Sequence, residues 1–214
     1  MVRLMLVSAL TVLAAGSASA TARFVPLGQL PGNSNSQSQD ISADGTVIVG
    51  THFGSKAFRW TQATGITYLG NGPGGLETNY ANAISGDGHT IVGVYGPNAP
   101  FKWTQAGGVV ALAPRHAPHA ALSYDGSIIV GGDGAADVSG DGSVVVGSAF
   151  SEGYRDKGGV RTWLGDLPGS AYESAADGVS ADGTVVVGAS KTVINEDGQS
   201  LTTNFHSFGP RARE

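Results

Sequence analysis

Five residues in the middle of the chain are of types that can ligate a metal and stand near one another in sequence. His116 and His119 stand three apart in PRHAPHAAL, and Asp133, Asp137 and Asp141 stand four apart in DGAADVSGDGS. Two imidazoles would suit a transition metal. Pro114 and Pro118, however, argue against a helix that presents both rings to one ion, and no Asp, Glu or Cys adjoins them to complete the set. The aspartates suit a hard cation better, because calcium is held by several oxygen ligands. Their spacing is not that of an EF-hand loop, and Asp141 also belongs to a repeated turn. Calcium is therefore the one cofactor the pattern would suit, solvated turn carboxylates are the favoured reading, and no other cofactor is expected.

Hydrolytic chemistry finds less support. The sequence has no Gly-x-Ser-x-Gly elbow, no Ser-x-x-Lys and no His-Glu-x-x-His. Its 17 acidic residues make coincidental carboxylate pairs inevitable, but most of the aspartates lie in turn-like contexts rather than flanking a cleft. His52, His89 and His206 are isolated. No catalytic residue can be named, and the chain is not expected to be an enzyme.

The elements that would carry these residues are written in a repeat. ISADGTVIVG begins at Ile41, and ISGDGHTIVG, LSYDGSIIVG, VSGDGSVVVG and VSADGTVVVG follow at Ile84, Leu122, Val138 and Val179. In each copy Asp-Gly separates two strand-like runs. This is a strong hairpin signal and predicts two-residue type I′ turns at Asp44-Gly45, Asp87-Gly88, Asp125-Gly126, Asp141-Gly142 and Asp182-Gly183. The Ser two places earlier is placed to bond the turn backbone. The β-branched run after each turn reads as a strand buried between layers, and the closing Gly reads as its end.

A second module, AFRWTQATGITYLG from Ala57 and PFKWTQAGGVVALA from Pro100, alternates aromatic and basic residues. Phe58 and Trp60, like Phe101 and Trp103, should share one strand face, with Arg59 and Lys102 on the other. VRTW at residues 160–163 reads as a variant of this strand. A third phrase, LGQLPG, LGNGPG or LGDLPG, is a connector, since no helix pattern or P-loop lysine follows it. Serine-to-serine spacings of 43, 38, 16 and 41 residues imply four-stranded units with one short interval, residues 123–139. There, two hairpins are expected to pair within one composite sheet.

Residues 1–20 carry Arg3, an apolar run and Ala18-Ser19-Ala20, the pattern of a cleaved secretory signal. The expected division is a signal peptide at 1–20, a β-repeat domain at 21–188, and a tail or final partial repeat at 189–214. Location should be secreted, extracellular or periplasmic, with no transmembrane segment left after cleavage. A formal net charge of −5, made more acidic by loss of Arg3, and a sequence with no cluster of basic residues argue against nucleic acid as a partner, because phosphate binding needs a clustered basic surface. Cysteine is absent, so no disulfide secures the exported chain, and 34 glycines suit a turn-rich fold.

Ala57-Phe58-Arg59-Trp60-Thr61, Leu164-Gly165-Asp166-Leu167-Pro168-Gly169 and the hairpin at residues 179–188 together resemble the HAF family of bacterial extracellular repeat proteins. The resemblance covers roughly residues 24–188 and supplies no catalytic residues. Four strands per unit of this period imply an all-β, propeller-like array of short antiparallel repeats, incomplete or open. The expected role is a non-catalytic binding module with a protein or glycan partner, a homo-oligomer or a chain paired along a sheet edge. The alternative is a secreted glycan-directed hydrolase or lyase on the same scaffold.

Overall fold

A computed structural model of the chain describes residues 26–28, 36–52, 56–113, 120–132, 134–166, 170–196 and 199–204. The signal segment, His116, His119 and Asp133 lie outside the described residues.

Each repeat phrase folds as a hairpin, and each hairpin opens an up-and-down antiparallel sheet. The first sheet is β1 (Ser36–Ile41), β2 (Val47–His52), β3 (Lys56–Thr61) and β4 (Gly65–Tyr68), in sequence order. The second repeats it with β5 (Thr78–Ile84), β6 (Thr90–Tyr95), β7 (Ala99–Thr104) and β8 (Gly108–Ala111). A short hairpin of β9 (Ala121–Leu122) and β10 (Ile129–Val130) forms the third. The fourth is again four-stranded: β11 (Ala135–Val138), β12 (Val144–Ala149), β13 (Glu152–Lys157) and β14 (Val160–Trp163). The fifth has β15 (Ser170–Val179), β16 (Val186–Glu196) and β17 (Gln199–Asn204). The chain is thus all-β and propeller-like in its units.

The core lies between sheets. Val47, Val49, Ala57 and Leu69 of the first unit pack on Ala81, Ile84, Ile91 and Phe101 of the second. Val144 and Val146 of the fourth pack on Ala176 and Val186 of the fifth. The alternation of strand side chains explains this: in a sheet inside the array, one face meets the preceding sheet and the other meets the following one.

Four expectations need correction. The two hairpins at residues 121–146 do not share a sheet. The first stays alone as β9–β10, while the second opens the fourth sheet. VRTW is β14, the outermost strand, and the aromatic-strand position belongs to β13, where Tyr154 pairs Gly147 as Phe58 pairs Gly50 and Phe101 pairs Gly93. Although β10 stops before Gly131, in the other four copies the closing Gly does not end its strand, since β2 continues to His52, β6 to Tyr95, β12 to Ala149 and β16 to Glu196. It is required because a bulge in the neighbouring strand brings backbone against it. A β-carbon on Gly50 would stand 2.0 Å from the Gln37 carbonyl oxygen, and one on Gly188 would stand 1.9 Å from that of Ala175. The fourth correction concerns the turns and is described with the site. Beyond Gly188 the chain stays in the fifth sheet, with β17 paired along β16, so this stretch forms part of a final repeat.

Candidate functional site

The repeated turns are the most regular polar feature of the molecule. In the first, the Gly45 N–H donates to the Ser42 carbonyl (2.9 Å), and Gly45 takes a φ of 72°. Asp44 is not among the residues with positive φ, so the turn is not type I′. The pattern fits a type I turn closed by a left-handed glycine. Because the Ser42 carbonyl serves Gly45, the Val47 N–H turns to the Ser42 hydroxyl (3.0 Å), which in turn donates to Asp44 Oδ1 (2.7 Å). The Thr46 N–H also donates to that oxygen (3.0 Å). Ser85, Ser123, Ser139 and Ser180 bond Asp87, Asp125, Asp141 and Asp182 in the same way.

These donors favour the ionised carboxylate. The Ser42 hydroxyl, then the backbone and hydroxyl of Thr46, lower Asp44 to about 2. Asp182 is lowered to about 2 by Ser180 and then Thr184. In Asp125 and Asp141 the backbone N–H of Ser127 or Ser143 contributes most, followed by the Ser123 or Ser139 hydroxyl, and both fall to about 2. For Asp87, burial is the largest influence and pushes upward, but the combined bonds from Ser85 and His89 outweigh it and the net shift is downward.

The turns are joined to one another. The Ala43 N–H donates to the Gly86 carbonyl (3.0 Å), Asp87 to Tyr124 (2.9 Å), Tyr124 to Gly140 (2.8 Å) and Gly140 to Ala181 (2.9 Å). Side chains reinforce the chain of turns. Lys102 Nζ reaches the Gly126 carbonyl (3.3 Å) and Arg155 that of Gly183 (3.0 Å), so these two basic residues of third strands each clamp the next turn.

Among the metal candidates, Asp137 uses both oxygens within the fold: Oδ1 accepts the Val138 N–H (2.8 Å) and Oδ2 that of Val179 (2.9 Å) in the fifth sheet. Asp141 is the acceptor of its own turn. Among the described residues no group of three His, Cys, Asp or Glu could hold a metal ion.

Open grooves run beside the third strands. One of about 610 Å³ is lined by Arg59, Trp60, Gln62, Thr64 and Gln105, among others. A neighbouring groove of about 340 Å³ shares Arg59 and Gln105 and adds His89 and Trp103. Trp60 and Trp103, which occupy equivalent positions, are both half-buried. Each therefore offers ring surface beside side-chain amides. The corresponding groove of the fourth sheet, about 460 Å³, has Asp156 and Lys157 instead. There Arg161 pairs with Asp156 and covers the Tyr154 ring at 3.7 Å.

Sequence reasoning missed Phe150. It sits at the two-residue tip between β12 and β13, almost wholly exposed at 95%, with φ of 52°, and Ser151 follows at 65°. No glycine or asparagine marks this turn, so nothing local announced it.

No protein-family model matches the chain, and no curated protein matches it. Among solved structures, the chain is similar to one described as TolB from Agrobacterium tumefaciens, with 18% identity and a TM-score of 0.41 over 82% of this chain and 63% of that one. It is also similar to U3-55K, with 13% identity and a TM-score of 0.35 over 74% of this chain and 47% of the other. The chain thus spans less than two thirds of either.

Proposed function

We propose that the protein is a secreted or cell-surface binding module of HAF-like type, without catalysis of its own, that takes a protein or glycan partner along the groove at Trp60 and Trp103. One observation carries this reading. The repeat carboxylates, the most numerous candidates for acid or base work, are each bonded within a turn and held ionised well below neutral pH. A general acid needs a pKa near the working pH, and these are displaced the other way. What the grooves offer instead is indole surface, amides and a guanidinium, groups that bind by stacking and hydrogen bonding.

A glycan array and a protein-partner screen on the exported chain test the reading. Binding should fall at least tenfold in the Trp60→Ala/Trp103→Ala variant, with the melting profile showing that the sheets persist. Steady turnover of a polysaccharide by the purified protein would instead favour the hydrolase or lyase. Export belongs to the same reading: mass spectrometry of the exported chain should find Thr21 at its N-terminus.

A further inference from the structure

The interface between successive sheets is written four times inside the chain, and each time it has the same two halves. One half is the Ser of a turn with the residues five and seven places after it. The other is the following turn, whose glycine lies over them. A β-carbon on Gly88 would stand 3.1 Å from Val47 and 3.4 Å from Ser42. The equivalent contacts are Gly126 on Thr90 and Ser85, Gly142 on Ile128 and Ser123, and Gly183 on Val144 and Ser139.

Both ends of the array show an unmatched half. In the fourth sheet Val144 and Val146 are 1% and 0% exposed, whereas their counterparts in the fifth, Val185 and Val187, are each 42% exposed. At the other end Ile41 is 53% exposed, against 6% for Ile84 in the second sheet. A β-carbon on Gly45 would meet only its own neighbour Ile41, at 4.0 Å. The ladder of turns also stops at both ends: among the described bonds, the Ala181 N–H donates to no further turn and the Ala43 carbonyl accepts from none. The first and last sheets of one chain do not pack face to face, although successive sheets do.

We propose that a second copy of this chain covers the open end. The Val185–Val187 face of one copy packs on the Ile41 face of the next, and the ladder continues from the Ala181 N–H to the next copy's Ala43 carbonyl. The argument is continuity with an interface the chain already builds, since the two exposed faces are its two halves. Such a contact is head-to-tail, so it propagates into a closed ring or a filament rather than ending at a symmetric pair. It stands independently of any ligand in the tryptophan groove.

Sedimentation of the exported chain over a concentration series tests the proposal. The wild type should rise in mass to dimers and beyond. Ile41→Glu and Val187→Glu, each blocking one face, should stay monomeric alone, yet a mixture of the two should form a dimer that grows no further, because each contributes one intact face. A wild type that stays monomeric, association untouched by either change, or a mixture that stays monomeric would overturn the proposal.

Cross-linking keeps the test decisive if a glutamate variant fails to fold. The chain has no cysteine, so Ala43→Cys in one copy and Ala181→Cys in another should join only when mixed. Residues paired across a backbone hydrogen bond lie within disulfide reach. If a chain carrying both changes instead seals within itself as a monomer, the array closes on its own first sheet and the second copy is excluded.

Discussion

The carboxylate of Asp40, in the first sheet, accepts the backbone N–H of Ile84 in the second at 2.8 Å, while its other oxygen accepts the N–H of Ile41. Asp137 repeats this arrangement with Val179, 42 residues away. A bulge precedes each aspartate in its strand, so the acid sits where the ladder has shifted and a donor of the next sheet stands opposite.

Asp137→Ala should therefore destabilise the protein by about 1–3 kcal/mol, the usual cost of leaving a partly buried N–H without its acceptor. Asp137→Asn retains one carbonyl oxygen and should lose less. Urea unfolding of the two variants checks the order, and equal midpoints would show that the Val179 bond contributes nothing.

Gly183 combines a φ of 69° with close packing, since a β-carbon there would meet Val144 Cγ2 at 2.7 Å. Gly158, with φ of 59°, has nothing within 4 Å. Gly183→Val should cost more than Gly158→Val by about 1–3 kcal/mol, the penalty for overpacking added to a shared backbone strain. Thermal melts of both variants measure the difference.

Acid should weaken the fold in a defined window. Asp44, Asp125, Asp141 and Asp182 are lowered from 3.8 to about 2, so the folded state binds fewer protons than the unfolded state between those values. The stabilisation they confer is then complete above about pH 4 and is lost progressively as pH falls to about 2. Melting temperatures should be level above this window and decline through it. Asp141→Asn should make the decline shallower, and a parallel curve would remove Asp141 from the account.

Phe150 holds a left-handed conformation that an L residue with a bulky side chain adopts at a cost of about 1–2 kcal/mol. Its side chain is exposed, so replacement forfeits little packing. Phe150→Asn should raise stability by about 1 kcal/mol, because Asn tolerates this region better. Chemical denaturation decides it, and a loss of stability would mean that the ring makes a contact outweighing the strain.

The repeat phrase by itself determined the hairpins and the role of Ser42 and its equivalents, because these depend on groups within about five residues of one another and recur with the same chemistry. Even so, Asp-Gly alone does not distinguish a type I′ turn from a type I turn closed by a left-handed glycine. The choice falls to the second because the Ser42 hydroxyl supplies the acceptor that lets Val47 enter the strand. Similarly, Tyr154-Arg155-Asp156 lacks the tryptophan that would identify it as a third strand, yet Tyr154 fills the Phe58 position because pairing with Gly147 puts it there. Only the stacking of sheets decided that β9–β10 stands alone, that Asp137 reaches across to the Val179 N–H of the next sheet, and that Val185 and Val187 remain open. Those outcomes rest on hydrogen bonds and contacts between residues far apart in the chain, and such contacts exist only once neighbouring sheets have set the register and face of every strand.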